Sequence, residues 1–383
     1  MVLDRGIQIL EGTSSASLPH TTTGVVIIFS VGGSAKENEL FKIENEGDAK
    51  KHFGDVKDER SLATYFKILH RYGIGSALGA VAVDPTAVLN KLPSAFSEFG
   101  INPEVIVMPG LSELSTGIVD NVLKIADSLG AVVIGDYGKT KGVDEIVSDR
   151  AGNEGLNMKH SRLIPCYGYT KSKINADWSE PLSVHLAGII AMHDSTHHQG
   201  IPPSNKPLMG VDEIAMVGGT TGDPATSTGD EPEPTLIMSF VDETSSNEKL
   251  NDVGVVTLNR RENMLVSWGD RNGLYPKDLG FLSMISVVRV KDALIKIAKK
   301  RAGYFIDMQS NKRSGQLLET SLNDALAKAS NAGMITNKYS AEFLEAESNY
   351  QEGKLVACMS FSPYTSVRLI QLKPIFKFTI STN

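Results

Sequence analysis

Between residues 253 and 306 the chain reads VGVVTLNRRENMLVSWGDRNGLYPKDLGFLSMISVVRVKDALIKIAKKRAGYFI. An apolar run at 253–258 leads into a charged turn of Arg260, Arg261, Glu262 and Asn263, and a second run at 264–268 ends in Gly269-Asp270-Arg271-Asn272-Gly273. Two short β-prone runs around a polar turn predict a hairpin. Beyond it, Val287, Val290, Leu294, Ile297, Ala298 and Phe305 recur at helical spacing, which predicts a long helix. Arg289, Lys291, Lys296, Lys299, Lys300 and Arg301 give that helix a basic face opposite its apolar one. The unit is a hairpin feeding an amphipathic helix, and the rest of the chain is arranged around it.

Upstream, strand-like and helix-like segments alternate. Residues 24–31 form a continuous β-branched run that reads as a buried strand, and 41–44 a weaker one. Helices are expected over 48–53, from Ser61 as N-cap, over 85–92, from Ser112 as N-cap, and as an amphipathic segment over 181–193. Strands are expected at 80–83, 105–108, 131–134 and 163–167, the last after a polar stretch at 138–161. This alternation predicts an α/β layer with a largely parallel sheet. Residues 201–210 are a Pro-rich loop. Residues 217–249, rich in Gly, Thr, Asp, Glu and Pro, read as an exposed loop that could hold a strand at 235–240. After the hairpin and its helix come a second helical pattern at 316–330, a stop at Gly333, and β-type runs at 342–348, 354–361, 367–372 and 375–380.

Both ends carry strands without an obvious local partner. Gly6, Ile7, Gln8, Ile9 and Leu10 precede a Ser/Thr-rich connector, and Ile375, Phe376, Lys377, Phe378, Thr379 and Ile380 close the chain. An unpaired strand either folds back on its own domain or adds to a neighbour's sheet. The division is therefore an arm and linker at 1–23, an α/β domain at 24–252 and an α+β domain at 253–383, whose last residues, 364–383, form a second arm.

A formal net charge of −7 over 383 residues argues against nucleic acid as the main partner. The two cysteines, Cys166 and Cys358, have no metal-type spacing and read as reduced, buried thiols. The N-terminus lacks a secretory pattern, and no run approaches the roughly 20 apolar residues that cross a bilayer. These features fit a chain made in a cytoplasm.

Candidates for chemistry are few. His193 and His197 are four apart and would share a helix face. A zinc-protease pattern needs glutamate after the first histidine, and Asp194 stands there with no evident third ligand. The glycine-rich segments at 217–223 and 72–79 lack a following lysine or a preceding strand, so both read as turns. No nucleophile elbow is present, and Cys166 reads as a packed core thiol. No catalytic residue, cofactor site or metal site is assigned. A cytoplasmic α/β enzyme with a C-terminal oligomerisation domain is the alternative, with His193 and His197 as its only candidates.

The order GVVTLN, turn, LVSWGDR, long helix resembles the tail sheath proteins of contractile phages and related injection machines. Many sheath proteins have threonine where this chain has Asn272. The segment SNKPLMGV at 204–211 is similar to the one that commonly precedes their inner domain, and the two terminal strands resemble their arms. The resemblance implies an outer α/β domain and an inner assembly domain. The arms of different subunits would complete a sheet in the inner domain and weave the subunits into stacked rings. It implies a structural subunit that polymerises on itself around a tail tube, meets baseplate and tail terminator proteins, and contracts to drive the tube through an envelope. It would reside in a virion tail assembled in the host cytoplasm, without inserting into a membrane. The family's charged contacts with the tube imply that Lys296, Lys299 and Lys300 face an acidic tube surface. A tube or baseplate component of such a machine is a third reading, which the α/β middle disfavours.

Overall fold

The computed structural model describes residues 24–29, 38–54, 61–109, 116–139, 141–171, 179–211, 213–214 and 245–366, with the backbone alone for 26–29 and 116. The expected arms at 6–10 and 375–380, the run at 367–372, the cap at Ser112 and the strand at 235–240 lie outside the described residues.

Six strands form one sheet: β1 (Gly24–Phe29), β2 (Phe41–Ile43), β3 (Ala77–Val81), β4 (Pro103–Met108), β5 (Val132–Asp136) and β6 (Leu163–Cys166), in the order β2-β3-β1-β4-β5-β6. Strand β1 pairs in parallel with β3 and β4, β4 with β5, and β5 with β6, while β2 runs antiparallel to β3. The expected α/β layer is this doubly wound sheet. Its upstream helices are α1 (Glu46–Phe53), α2 (Leu62–Arg71), α3 (Pro85–Leu89), α4 (Ala95–Phe99), α5 (Thr116–Leu129), α6 (Val143–Asp149) and α7 (Leu182–Thr196). Local signals set several boundaries. Asn45 accepts from Asp48 N at 3.0 Å to start α1, and Ser61 accepts from Ala63 N at 3.2 Å to start α2. The helix expected at 85–92 stops at Leu89 and resumes after a 3₁₀ turn, Leu92–Ser94, because Pro93 cannot continue the hydrogen-bond ladder.

Helix α7 differs from its expectation. It is buried on every side rather than amphipathic, packed on β4 and β5 and against α2. A helix inside a layer has no solvent face for periodicity to mark. The polar residues of its first turns are satisfied internally. His185 Nε2 lies 3.1 Å from Glu180 Oε2 and its Nδ1 lies 2.9 Å from the Tyr72 hydroxyl, which accepts from Met209 N at 3.0 Å. Arg71 grips Glu180 through two contacts of 2.8 Å. This partner order is met by a neutral imidazole with its proton on Nε2.

Asp136 ends β5 and accepts from both the backbone N (3.1 Å) and the hydroxyl of Ser183, and from Cys166 Sγ at 3.2 Å. It thereby anchors the first turn of α7. Burial pushes its carboxyl up to about 6 although these donors favour the anion. A proton held more tightly in the folded chain (about 6) than unfolded (3.8) stabilises the fold fully below pH 3.8 and ceases to do so as pH rises through about 6. Asp136→Asn cannot ionise. The stability of the variant minus that of the wild type is expected to rise by about 3 kcal/mol from pH 3 to pH 7, read from urea unfolding at stepped pH. A difference flat in pH contradicts this.

The polar stretch 138–161 holds α6, missed because its single buried apolar residue, Ile146, sets no periodicity. The short pair β7 (Tyr169–Lys171) and β8 (Ser179–Pro181) precedes α7. Strand β9 (Lys206–Pro207) and helix α8 (Ser246–Asn251) lead to the hairpin of β10 (Thr257–Arg261) and β11 (Met264–Trp268). Its turn is tighter than expected. Arg260 and Arg261 belong to the strand, and Glu262-Asn263 make a two-residue turn with Glu262 at φ 54.

The expected boundary at 252/253 falls inside one packed core. Val256 bridges Cys166 in parallel, Tyr167 N donates to Val256 O at 2.9 Å, and Val255, Val256, Leu258, Leu265 and Ile285 join the core of the α/β layer. A second core begins within α9 (Ile285–Gly303). Val290, Leu294 and Ala298 meet Leu318, Leu322 and Leu326 of α10 (Lys312–Asn331), and Ile335, Ala341 and Phe361 of the antiparallel pair β12 (Ile335–Phe343) and β13 (Ala357–Pro363). The strand expected at 342–348 lies earlier, and Glu345–Glu347 is a 3₁₀ turn. Cys166 is buried, whereas Cys358 on β13 is exposed, correcting its expected burial.

Candidate assembly surface

The two segments behind the sheath resemblance lie far apart in sequence and meet in space. Ser204 Oγ accepts from Gly269 N at 3.0 Å, Asn205 N donates to Ser267 O at 2.6 Å, and β9 pairs with β11 at Pro207↔Val266 and Lys206↔Ser267. The GDRN turn then launches α9. Asp270 accepts from Ser286 N at 3.1 Å and from Ser286 Oγ at 2.6 Å, capping a helix whose own preceding residue, Met284, supplies no side-chain cap. Asn272 donates to Leu282 O at 2.6 Å and accepts from Leu274 N at 3.0 Å, closing the loop between hairpin and helix. Ser366, the last described residue, donates to Asp270 Oδ2 at 2.5 Å, so the chain leaves for its final segment beside this cap.

Helix α9 is fastened to the α/β layer by buried charges. Arg289 grips Asp194 at the end of α7 with both terminal nitrogens, Nη1 to Oδ1 at 2.8 Å. Arg162 pairs with Asp292 and, at 2.9 Å, with Asp127, which His160 also meets at 3.1 Å. Lys296 Nζ sits 2.8 Å from Glu104 Oε1, whose other oxygen accepts from Gln199 at 2.5 Å. Close backbone approach completes the joint. A Cβ on Gly200, at φ +98, would stand 2.0 Å from Val290 Cγ2.

The expected basic face of α9 is therefore divided. Arg289 is buried and neutralised, and Lys296 points into the joint toward Glu104. Arg301 pairs with Asp324 at 3.2 Å on the surface. Lys299 and Lys300 are exposed, with no ion-pair partner among the described residues. Arg313 in the first turn of α10 is likewise exposed. Between these cations in sequence, the connection from α9 to α10 presents Tyr304 (69% exposed), Ile306 and Met308. This tip is an apolar knob with a basic collar.

The second unit also carries an open sheet. Strands β12 and β13 pair with each other and with no other described strand. Helix α10 covers one face so closely that a Cβ on Gly315 would stand 2.3 Å from the Phe343 ring. The opposite face holds the exposed Lys338, Glu342, Cys358, Ser360 and Ser362. A two-stranded sheet is marginal by itself. The outer edge of β12 is held by α10, where Asn323 accepts from Ala341 N at 2.9 Å and donates to Ala341 O at 2.7 Å, and Glu319 accepts from Phe343 N at 2.8 Å. On the other side, β13 pairs with no further described strand.

Catalytic candidates do not converge. Among the described residues, no group of three or more His, Cys, Asp or Glu gathers to hold a metal. His193 and His197 lie with ring centroids 5.5 Å apart and tilted by 49°, and Asp194 turns instead to Arg289. In a doubly wound sheet a ligand crevice would lie beyond the carboxyl ends of β1 and β4. The segments that follow those strands, 30–37 and 110–115, lie outside the described residues. Among the described residues no helix is long and apolar enough to cross a membrane.

No protein-family model and no curated protein matches the sequence. Solved structures do match, nearly end to end. A chain of the sheath complex of an extracellular contractile injection system, PVC, in its contracted state shares 15% identity at TM-score 0.70, covering 97% of each chain. A chain of the contracted helical sheath of the anti-feeding prophage shares 16% identity at TM-score 0.67, and one from that particle's baseplate 16% at TM-score 0.66. Both cover 97% of this chain and 99% of the other. At these identities the likeness establishes a shared fold.

Proposed function

We propose that this chain is the repeating subunit of a contractile sheath, polymerising around a tube and contracting to drive that tube through an envelope. One observation carries the reading. The likeness to sheath subunits extends over 97% of both chains, so it takes in the α/β layer and the unit from α9 to β13 together. The β13 side of the β12–β13 sheet, which pairs with no further described strand, is where strands from neighbouring subunits would add, main chain to main chain. The terminal strands at 6–10 and 375–380 are the natural donors. The resulting contact is head to tail, so it propagates as a helix instead of closing as a dimer. The outer part of the subunit is the α/β layer with its hairpin, and the inner part is the unit from α9 to β13 with the arms. The linker at 11–23 and the exit near Ser362-Pro363 serve as hinges in contraction. The baseplate anchors one end of the assembly and a terminator protein the other, and the particle is put together in the host cytoplasm.

Electron microscopy of the purified full-length chain is expected to show tubes or stacked rings. A chain lacking residues 1–14 is expected to give discrete particles with an unchanged circular dichroism spectrum. Discrete particles from both overturn the reading.

The tube contact follows from the divided basic face. Lys299, Lys300 and the collared tip face the tube, while Lys296 supports the fold. Reversing Lys299 and Lys300 to glutamate is expected to abolish co-assembly with the tube and leave the unfolding midpoint within the ±0.5 kcal/mol usual for surface changes. Lys296→Glu, by contrast, sets a carboxylate against Glu104 and is expected to lower stability. Unimpaired co-assembly of the Lys299/Lys300 double variant contradicts the assignment.

A further inference from the structure

The C-terminal turn of α7 holds a histidine that its surroundings do not explain. Both ring nitrogens of His193 are buried, and neither has a hydrogen-bond partner among the described residues. A buried polar group left in this way calls for a water or an ion. One turn later His197 exposes its ring, tied through Nδ1 to the Thr196 hydroxyl at 2.8 Å, so its Nε2 is the nitrogen available to a ligand. The ring centroids are 5.5 Å apart and inclined by 49°. A metal about 2.0–2.1 Å from one nitrogen of each ring, at a tetrahedral angle, places the centroids about 5 Å apart. The observed centroid separation lies within about 0.5 Å of that value.

We propose that His193 and His197 bind one divalent transition metal at the C-terminal end of α7, with solvent water completing the coordination on the exposed His197 side. Two imidazole nitrogens suit zinc, nickel or copper rather than magnesium or calcium. The carbonyl end of a 15-residue helix carries partial negative charge and favours a cation. The Lys206 ammonium lies near enough to His193 to act on its ring. Asp194 is engaged with Arg289, and His198 directs Nδ1 to the Gln199 carbonyl at 3.0 Å. Lys206 is the charge that opposes a cation here. Bound metal would stiffen the turn running from His197 to Gly200, against which α9 packs. The site is independent of the sheath reading.

The test is titration of the untagged, chelator-dialysed full-length chain with zinc chloride, and separately nickel chloride, in a Cys358→Ser background that removes the exposed thiol. One metal per chain is expected. His197→Ala changes an exposed side chain and should leave the fold intact. It should weaken binding by more than the roughly 10–100-fold typical of losing an outer-shell partner. Lys206→Gln should tighten binding by removing a like charge. Absence of binding at millimolar metal, or binding unchanged in His197→Ala, overturns the proposal; unchanged or weaker binding in Lys206→Gln contradicts the electrostatic placement.

Discussion

Replacing Arg150 with methionine is expected to cost about 4 kcal/mol of stability, read as a lower urea midpoint. Arg150 is 2% exposed, and its guanidinium faces carbonyls instead of a carboxylate. Nε donates to Val253 O at 3.0 Å, Nη1 to Leu156 O at 3.0 Å, and Nη2 to Gly273 O at 3.2 Å and Tyr275 O at 2.8 Å. One side chain therefore fixes the entry to the hairpin, the loop after it and the turn after α6. Removing it leaves four carbonyls without those donors, buried at Leu156 and Gly273 and part-buried at Val253 and Tyr275, the buried ones worth about 1–3 kcal/mol each, offset in part because a buried cation no longer needs solvating. Lysine is expected to rescue little, since a point ammonium cannot serve four acceptors spread around a planar fork. A methionine variant within 1 kcal/mol of wild type would falsify the hub assignment.

The second large effect concerns the joint between the two cores. Arg289→Met or Asp194→Leu alone should each cost about 3–5 kcal/mol, because each leaves the opposite charge buried without its partner. Arg289 is 5% exposed and Asp194 fully buried, so solvent cannot compensate. The double variant replaces an ion pair by two apolar side chains of similar volume and should recover most of that loss. The cycle separates two roles. Strong coupling with a stable double variant means that the pair sets the alignment of α9 on α7 rather than holding the fold together. Additive losses would mean that each residue acts through other neighbours, and would contradict the paired reading. In a sheath the double variant is also informative, because α9 carries both the joint and, at its far end, Lys299 and Lys300. A subunit that is stable yet fails to assemble would locate the requirement in the angle of this helix.

Much of the architecture is legible along the chain. The β-branched run that becomes β1, the caps at Ser61 and Gly333, the hairpin and the two long helices each rest on a local signal: a side-chain period, a hydroxyl that accepts a backbone N–H, or a glycine able to take positive φ. Helix α6 and the burial of α7 were not legible, because a single apolar contact sets no period and an all-round buried helix shows no stripe. The resemblance in VGVVTLN, WGDR and SNKPLMG depended on short strings, and the structure gives those strings one location, with Ser204 and Asn205 against Ser267 and Gly269.

The charges divide most sharply between the two levels. Sequence determined that α9 has a cationic side, since helical spacing alone puts Arg289, Lys296 and Lys300 there. It could not determine which of those cations meets solvent. That depended on Asp194 and Glu104, which stand more than ninety residues away and reach α9 only when the sheet and α7 are stacked beneath it. Likewise, sequence marked 253–268 as a hairpin, but the tertiary fold decided that it continues the α/β core. Backbone groups at the edge of β6 needed partners, and Val256 was the segment brought within reach. Periodicity and caps report what a segment does to its own neighbours in sequence. Burial of charge and completion of sheet edges are set by whatever the rest of the chain brings close, and only the folded structure states it.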